Sequence, residues 1–358
     1  MSKARQLADL GNQVDDGAIT GSNMVINGAM TVAQRGTQTA QTAGYTACDR
    51  WQFAENGSSV VTTTQDSNIP AGEGFGSSLK VDVTNASGTP SSGNYAFLRT
   101  KFEGQDLQHI RKGTSAAKPL TLSFWVSSPK TGIHVVELYD TDNDRQVSKS
   151  YTINSVNTWQ HVSVSMPADT TGAFNDDNLI SMQIAFWLMA GSNFSGGTLN
   201  TSWAANNNSN RAVGQVNCMD NTSNNFYLTG VCLNVGDSAI DFPHQSYGDE
   251  LARCQRYFQL YPEETTVTGI CYNNDPDWYF PFVFPEMRAA PTVTFSGNPL
   301  LFCNSDNSDT TSVTSNSNND NRKSLRLQAF ATAVGSAGQA GWLQLNAANS
   351  YFTLDAEL

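Results

Sequence analysis

Short alternating strands, frequent turn residues and a shortage of charge together predict an all-β protein. Its parts are a short N-terminal helix, a large β-sandwich of jelly-roll type, a short hinge helix and a smaller C-terminal β domain. Of the 358 residues, 39% are hydrophobic and only 15% charged, against ~25% charged in an average soluble chain. Uncharged Ser, Thr, Asn and Gln supply the remaining polarity, alongside 28 Gly and 12 Pro. Long solvated helices need Glu and Lys on their outer face, so this mixture favours strands and turns. The 20 Lys and Arg against 32 Asp and Glu leave a net charge of −12. Phosphate neutralisation needs clustered basic residues, so no nucleic-acid partner is expected. No apolar run approaches the ~18 residues of a membrane span. The opening MSKARQLADLGNQVDD has no apolar signal-peptide core. Synthesis in the cytoplasm without membrane insertion is the expectation.

Residues 3–10 (KARQLADL) have helical character, with Ala4, Leu7 and Ala8 on one face, Leu10 at the end and Gly11 as a stop. Eight residues are too few for an isolated helix in water, so this one either docks on a partner or frays. With the polar stretch that follows, residues 1–22 form an attachment segment. From residue 23 the period is two. Leu79, Val81 and Val83 alternate with Lys80 and Asp82, and Leu120, Leu122, Phe124 and Val126 with Thr121, Ser123 and Trp125. Val162, Val164 and Met166, and then Met182, Ile184, Phe186 and Leu188, repeat the pattern. Each reads as a strand with one face in a core, and turn clusters such as 85–93 and 128–132 separate them. Residues 191–225 are expected to be a polar surface loop, ordered only by a neighbouring chain.

Strand character returns at 226–235. Ser246-Tyr-Gly-Asp249 is then a capping pattern before a helix from 250 to about 257. The main boundary falls there, giving 1–22, a sandwich over 23–246, and a hinge helix with a second β domain over 247–358. In that domain 266–272, 278–284, 291–295, 325–332, 342–347 and 351–357 read as strands, and 304–321 as a flexible polar insert.

Few residues suggest chemistry. Asp140, Asp142 and Asp144 have the D-x-D-x-D spacing that opens a calcium loop. The sixth and twelfth positions, which need Gly and Glu, hold Arg145 and Tyr151. A hairpin turn between strands near 134–139 and 146–153 is favoured over Ca²⁺. His109, His134, His161 and His244 have no metal-ligand spacing, and no C-x-x-C occurs among Cys48, Cys218, Cys232, Cys254, Cys271 and Cys303, which read as buried thiols. There is no G-x-S-x-G, and Gly72, Gly74 and Gly76 precede no helix, so they read as a flexible loop. Paired carboxylates for glycoside hydrolysis are neither named nor excluded. Trp125 and Trp187 have the opposite parity to the aliphatic residues of their strands and leave the sheet away from the core. They stack on sugar rings, or a second domain or subunit covers them; the covered arrangement carries the greater weight.

Several segments together resemble a family. Asn23-Met-Val-Ile-Asn-Gly-Ala-Met-Thr-Val-Ala-Gln-Arg-Gly36 and Tyr45-Thr-Ala-Cys-Asp-Arg-Trp51 are similar to the opening of tail-fibre and related virion proteins of marine and cyanobacterial phages. Residues 102–113 (FEGQDLQHIRKG) and 120–126 (LTLSFWV) resemble that family's carbohydrate-binding-module-like jelly roll. Thr158-Trp159, 227–233, 250–257 (ELARCQRY), 287–291 and 355–358 also fit. The resemblance implies a non-enzymatic virion protein, a tail fibre or fibre-like appendage, anchored by its N-terminus and homotrimeric. Its partners would be a tail, baseplate or capsid component and a host-surface glycan. Alternatives are a capsid decoration or head-fibre protein without a receptor role, and a virion-borne polysaccharide depolymerase. Asp49, paired with Arg35 or Arg50, is expected to be structural.

Overall fold

Strand pairing follows the period of two through both halves of the chain. The computed structural model describes residues 23–272, 277–303, 306–310, 312–315, 321–331, 334–345 and 351–358. The attachment residues Ala4, Leu7, Ala8 and Leu10 lie outside them. The described chain forms two compact units that divide between Glu250 and Leu251.

The first unit contains β1 (Gln38–Gln41), β2 (Gly44–Tyr45), β3 (Gln52–Asn56), β4 (Val60–Asp66), β5 (Ser78–Asn85), β6 (Tyr95–Glu103), β7 (Leu120–Ser127), β8 (Gly132–Asp140), β9 (Arg145–Ile153), β10 (Gln160–Met166), β11 (Ile180–Ala190), β12 (Ala204–Ala205) and β13 (Asn225–Val235). One sheet has the order β1-β4-β5-β13-β7-β10 and the other β12-β9-β8-β11-β6-β3-β2. Neighbours in sequence such as β5 and β6, or β7 and β8, lie in different sheets, which is the jelly-roll habit of crossing between layers. The aliphatic parity found in the sequence points inward. Leu79, Val81, Leu122, Phe124, Ile184 and Phe186 meet Trp51 and Phe226 in one core. Each such side chain contributes about 2 kcal/mol on leaving water.

Strand β11 departs from simple alternation, since nearly all of it is buried on both faces. Its outer side carries a second cluster of Phe97, Val135, Ala185, Trp187 and Ala212. The cover comes from within the segment expected to need a neighbouring chain. The short helix α1 (Ser192–Ser195) sets Phe194 5.6 Å from Trp187, and Ala212 N donates to Phe194 O over 2.9 Å. The chain orders this loop itself, because Trp and Phe side chains on the sheet give it an apolar seat.

Residues 23–36 are a buried polar brace rather than a strand. Asn27 Nδ2 donates to Val32 O at 2.8 Å and to Asp49 O at 2.9 Å, and Trp51 Nε1 donates to Asn27 O at 3.2 Å. Asp49 is fully buried, with Arg35 Nη1 at 3.8 Å, while Arg50 Nη2 donates to Lys101 O at 2.8 Å. Asn27, Asp49, Arg50 and Trp51 therefore do structural work here.

Helix α2 (Tyr247–Gln255) holds the unit boundary, and Ser246 caps it, its Oγ accepting from Asp249 N at 3.2 Å. The second unit contains β14 (Phe258–Tyr261), β15 (Thr266–Cys271), β16 (Asp277–Val283), β17 (Thr292–Ser296), β18 (Leu300–Cys303), β19 (Asp306–Asp309), β20 (Ser312–Ser315), β21 (Ser324–Phe330), β22 (Ala340–Gln344) and β23 (Tyr351–Asp355). Its sheets run β14-β23-β17 and β19-β18-β22-β15-β16-β21-β20 around a core that includes Trp278, Phe280, Leu327 and Phe352. The described part of 304–321, expected to be a flexible insert, supplies the two edge strands β19 and β20. Edge strands need only backbone pairing on one side, so Ser, Asn, Asp and Thr suffice.

Candidate functional site

On the outer face of the β1–β10 sheet, a groove of about 470 Å³ opens above Trp125. This lies within the range of small-molecule sites. Ser123 and Trp125 of β7, His161 of β10 and Gly230 of β13 form its floor. One wall is the 72–76 loop, with Glu73 and Phe75; the other is the segment after β13, with Ile240, Asp241, Phe242 and His244.

Local physics explains each part. Trp125 and His161 are registered partners on adjacent strands, and their rings lie 5.2 Å apart at 50°. The β13–β7 register slips between Thr229 and Cys232, which places Gly230 at φ +62° beside the indole. A Cβ there would lie 2.6 Å from Phe75 Cζ and 3.0 Å from Trp125 Cδ1, so glycine is required on both counts. The brace of residues 23–28 satisfies the main chain just past the bulge. Val231 N donates to Gly28 O at 2.9 Å and Asn23 Nδ2 donates to Val231 O at 3.0 Å. Gly72 and Gly74, at φ +83° and +81°, turn the first wall so that Phe75 is buried. Phe75 packs edge-on against Phe242 at 5.1 Å and at a 48° tilt against His244 at 5.0 Å, which fastens the two walls together.

The groove thus pairs an apolar indole platform with a polar rim. Glu73 and Asp241 offer carboxylates, His161 and His244 imidazoles, and Ser123 a hydroxyl; among the described residues, no Lys or Arg lines it. Burial lowers the His161 pKa from its ordinary value, and the Glu73 charge draws it partly back. A ring with one apolar face and hydroxyls around its edge matches such a lining, by stacking on Trp125 and donating to the carboxylates.

The two predicted tryptophans part company. Trp125 is half-buried on the groove floor, but Trp187 is fully buried under Phe194 and Ala212 and cannot meet a ligand. Its Nε1 donates to Glu137 Oε2 at 3.3 Å, and Arg211 clamps that carboxylate at 2.8 and 2.9 Å while lying over the indole. Outward parity at position 187 was legible; that the same chain folds back over it was not.

The D-x-D-x-D aspartates do not converge on a cation. Asp140 is buried against Lys112 Nζ at 2.6 Å, Asp142 accepts from Asn175 N at 2.9 Å, and Asp144 accepts from Tyr139 Oη at 2.5 Å. The hairpin turn points the three carboxylates to different neighbours. Among the described residues, no group of three His, Cys, Asp or Glu is placed to hold a metal ion. All six cysteines are buried, and among the described residues no helix is long and apolar enough to cross a membrane.

Sequence reasoning missed most of the groove. Glu73 and Phe75 sit in the stretch read as a flexible glycine loop, and Asp241, Phe242 and His244 in a segment given no role. Only Trp125, by its parity, was marked.

No protein-family model and no curated protein matches the chain. Solved structures with some similarity include the enzymatically active domain of tailspike protein 4 of bacteriophage CBA120, at 14% identity over 60% of this chain, TM-score 0.33. This chain spans 21% of that tailspike chain. A family 4 carbohydrate-binding module matches at 11% identity over 59% of this chain and 99% of its own, TM-score 0.30. A family 11 module from Clostridium thermocellum, in complex with a mixed-linked tetrasaccharide, matches at 13% identity over 57% of this chain and 98% of its own, TM-score 0.29.

Proposed function

We propose that this chain is a phage virion appendage, a tail fibre or fibre-like protein, whose sandwich binds a host-surface glycan in the Trp125 groove. The observation that carries the binding role is the composition of the groove, an open indole floor ringed by carboxylates, imidazoles and a hydroxyl, with no Lys or Arg among the described lining residues. The virion role rests on the ordered sequence resemblance at 23–51, 102–126 and 250–257. In this reading residues 1–22 attach the protein to a tail, baseplate or capsid component, and a homotrimer presents three grooves. Linked copies turn weak single sites into useful avidity, because the second contact forms at high effective concentration. The groove binds without turnover.

The test is adsorption of phage carrying Trp125→Ala, together with binding of the purified protein to host polysaccharide. The expected result is intact particles that adsorb poorly, with isolated sites weakened by about 1 kcal/mol or more. Unchanged adsorption and unchanged polysaccharide binding reject the groove. Particles on which the protein decorates only capsid capsomers reject the appendage, and release of new reducing ends from the polysaccharide rejects binding without turnover.

A further inference from the structure

A second aromatic pair lies on the same face as the groove. Trp159 precedes β10 and stands two residues before His161, so both side chains leave the strand on one side. On β13, Tyr227 stands two residues before Thr229, the registered partner of Trp125. Gln160 pairs with Val126, which sets Trp159 beside Ser127, and Ser127 is itself the partner of Tyr227. The small serine between them lets the two rings close to 6.1 Å at 59°. Trp159 Nε1 donates to Asn68 Oδ1 at 3.1 Å, which fixes the indole, and both rings stay half-buried. Lys80 Nζ lies 6.0 Å from the Tyr227 centroid, but Asp82 takes its charge at 3.2 Å. This platform sits about two strand residues, ~7 Å, from the Trp125–His161 pair.

We infer that the groove is one end of an extended site, with Trp159–Tyr227 as its second platform, and that its ligand is an uncharged linear oligosaccharide of three or more residues lying along the strands. The inference rests on the glycan reading above and adds length, direction and charge to it. Two platforms on one sheet face favour a chain whose successive rings each offer an apolar side. The carboxylates of Glu73 and Asp241, a groove with no Lys or Arg among its described lining residues, the pairing of Lys80 with Asp82 beside Tyr227 and the net charge of −12 disfavour uronate, sialylated or sulfated chains.

The experiment measures binding of the full chain, and of its Trp125→Ala and Trp159→Ala variants, to an array of neutral and acidic oligosaccharides from two to six residues long. Wild type should bind a neutral series and gain affinity with length up to the point where both platforms are covered. Trp159→Ala should bind the disaccharide as wild type does and lose about five-fold on the longer members. Trp125→Ala should weaken every member. If Trp159→Ala matches wild type at all lengths, the extended site falls while the groove stands. If acidic chains bind in preference, the stated ligand class falls. If Trp125→Ala changes nothing, or no saccharide binds, the glycan reading falls and this inference with it. Circular dichroism of both variants separates lost binding from lost fold, and a folded Trp159→Phe that restores the length effect supports a stacking role.

Discussion

Replacing Lys112 with Met should cost the first unit about 3 kcal/mol. The Lys112 ammonium is 2% exposed and lies 2.6 Å from Asp140 Oδ2 and 3.1 Å from Asp169 Oδ2, whose side chains are 0% and 5% exposed. It also donates to Thr171 O at 2.8 Å and Gly172 O at 2.7 Å. Its Nζ also lies over the rings of Phe174 and Trp203, 5.2 and 5.3 Å from their centroids. Methionine has a similar length and packs against the same rings. What it removes is the charge, and breaking a buried pair from one side costs about 3–5 kcal/mol because the other charge stays buried. The lower end applies here. Asp169 keeps Arg145 at 2.8 and 3.0 Å, and Asp140 keeps Asn143 N at 3.0 Å. For a unit of this size, 3 kcal/mol lowers Tm by about 6–12 °C. Calorimetry of K112M, and of K112M with Asp140→Asn, is the assay. The second change neutralises the orphaned carboxylate and should recover part of the loss. A K112M protein within 1 kcal/mol of wild type, or a double variant no more stable than K112M, would refute the argument.

Other perturbations separate groove from scaffold. Gly230→Ala forces a side chain into a left-handed backbone and against Phe75, so stability should fall by about 2 kcal/mol, with saccharide binding lost as the wall shifts; a variant that binds normally contradicts the groove geometry. Trp187→Ala empties the outer cluster, so chemical denaturation should show a loss of about 3–5 kcal/mol and limited proteolysis should nick 191–215, with binding per folded molecule unchanged. Burial lowers the His134 pKa to about 4, with Lys130 O accepting at its Nε2 and Tyr151 and Cys218 alongside. A base held neutral in the fold favours folding fully above its unfolded pKa of ~6.5. Stability should therefore fall as pH drops from about 6.5 toward 4, by up to ~1.4 kcal/mol per unit, and His134→Gln should flatten that slope in denaturant titrations across pH.

The alternation of Leu79, Val81 and Val83, and of Leu122, Phe124 and Val126, was enough to fix strands, inward faces and an all-β class, because side-chain direction in a strand depends only on parity. The capping pattern at Ser246 and Asp249 likewise announced a helix, since a cap is a local hydrogen bond, though the helix starts directly after Ser246 and runs over Tyr247–Gln255 instead of from 250 to about 257. The same local rule turned Trp125 and Trp187 outward alike. Only tertiary structure separated them: loop 191–215 folds back over Trp187, while the 72–76 loop and the segment after β13 stop at either side of Trp125 and leave its ring open. The groove depends on contacts such as Phe75 with Phe242, more than 160 positions apart, and on a bulge at Gly230 whose neighbour Val231 has its main chain held by hydrogen bonds to Asn23 and Gly28. The D-x-D-x-D run taught the converse. Its spacing is a local fact, but whether three carboxylates meet on one cation is set by Lys112 and Asn175, which the chain brings from elsewhere.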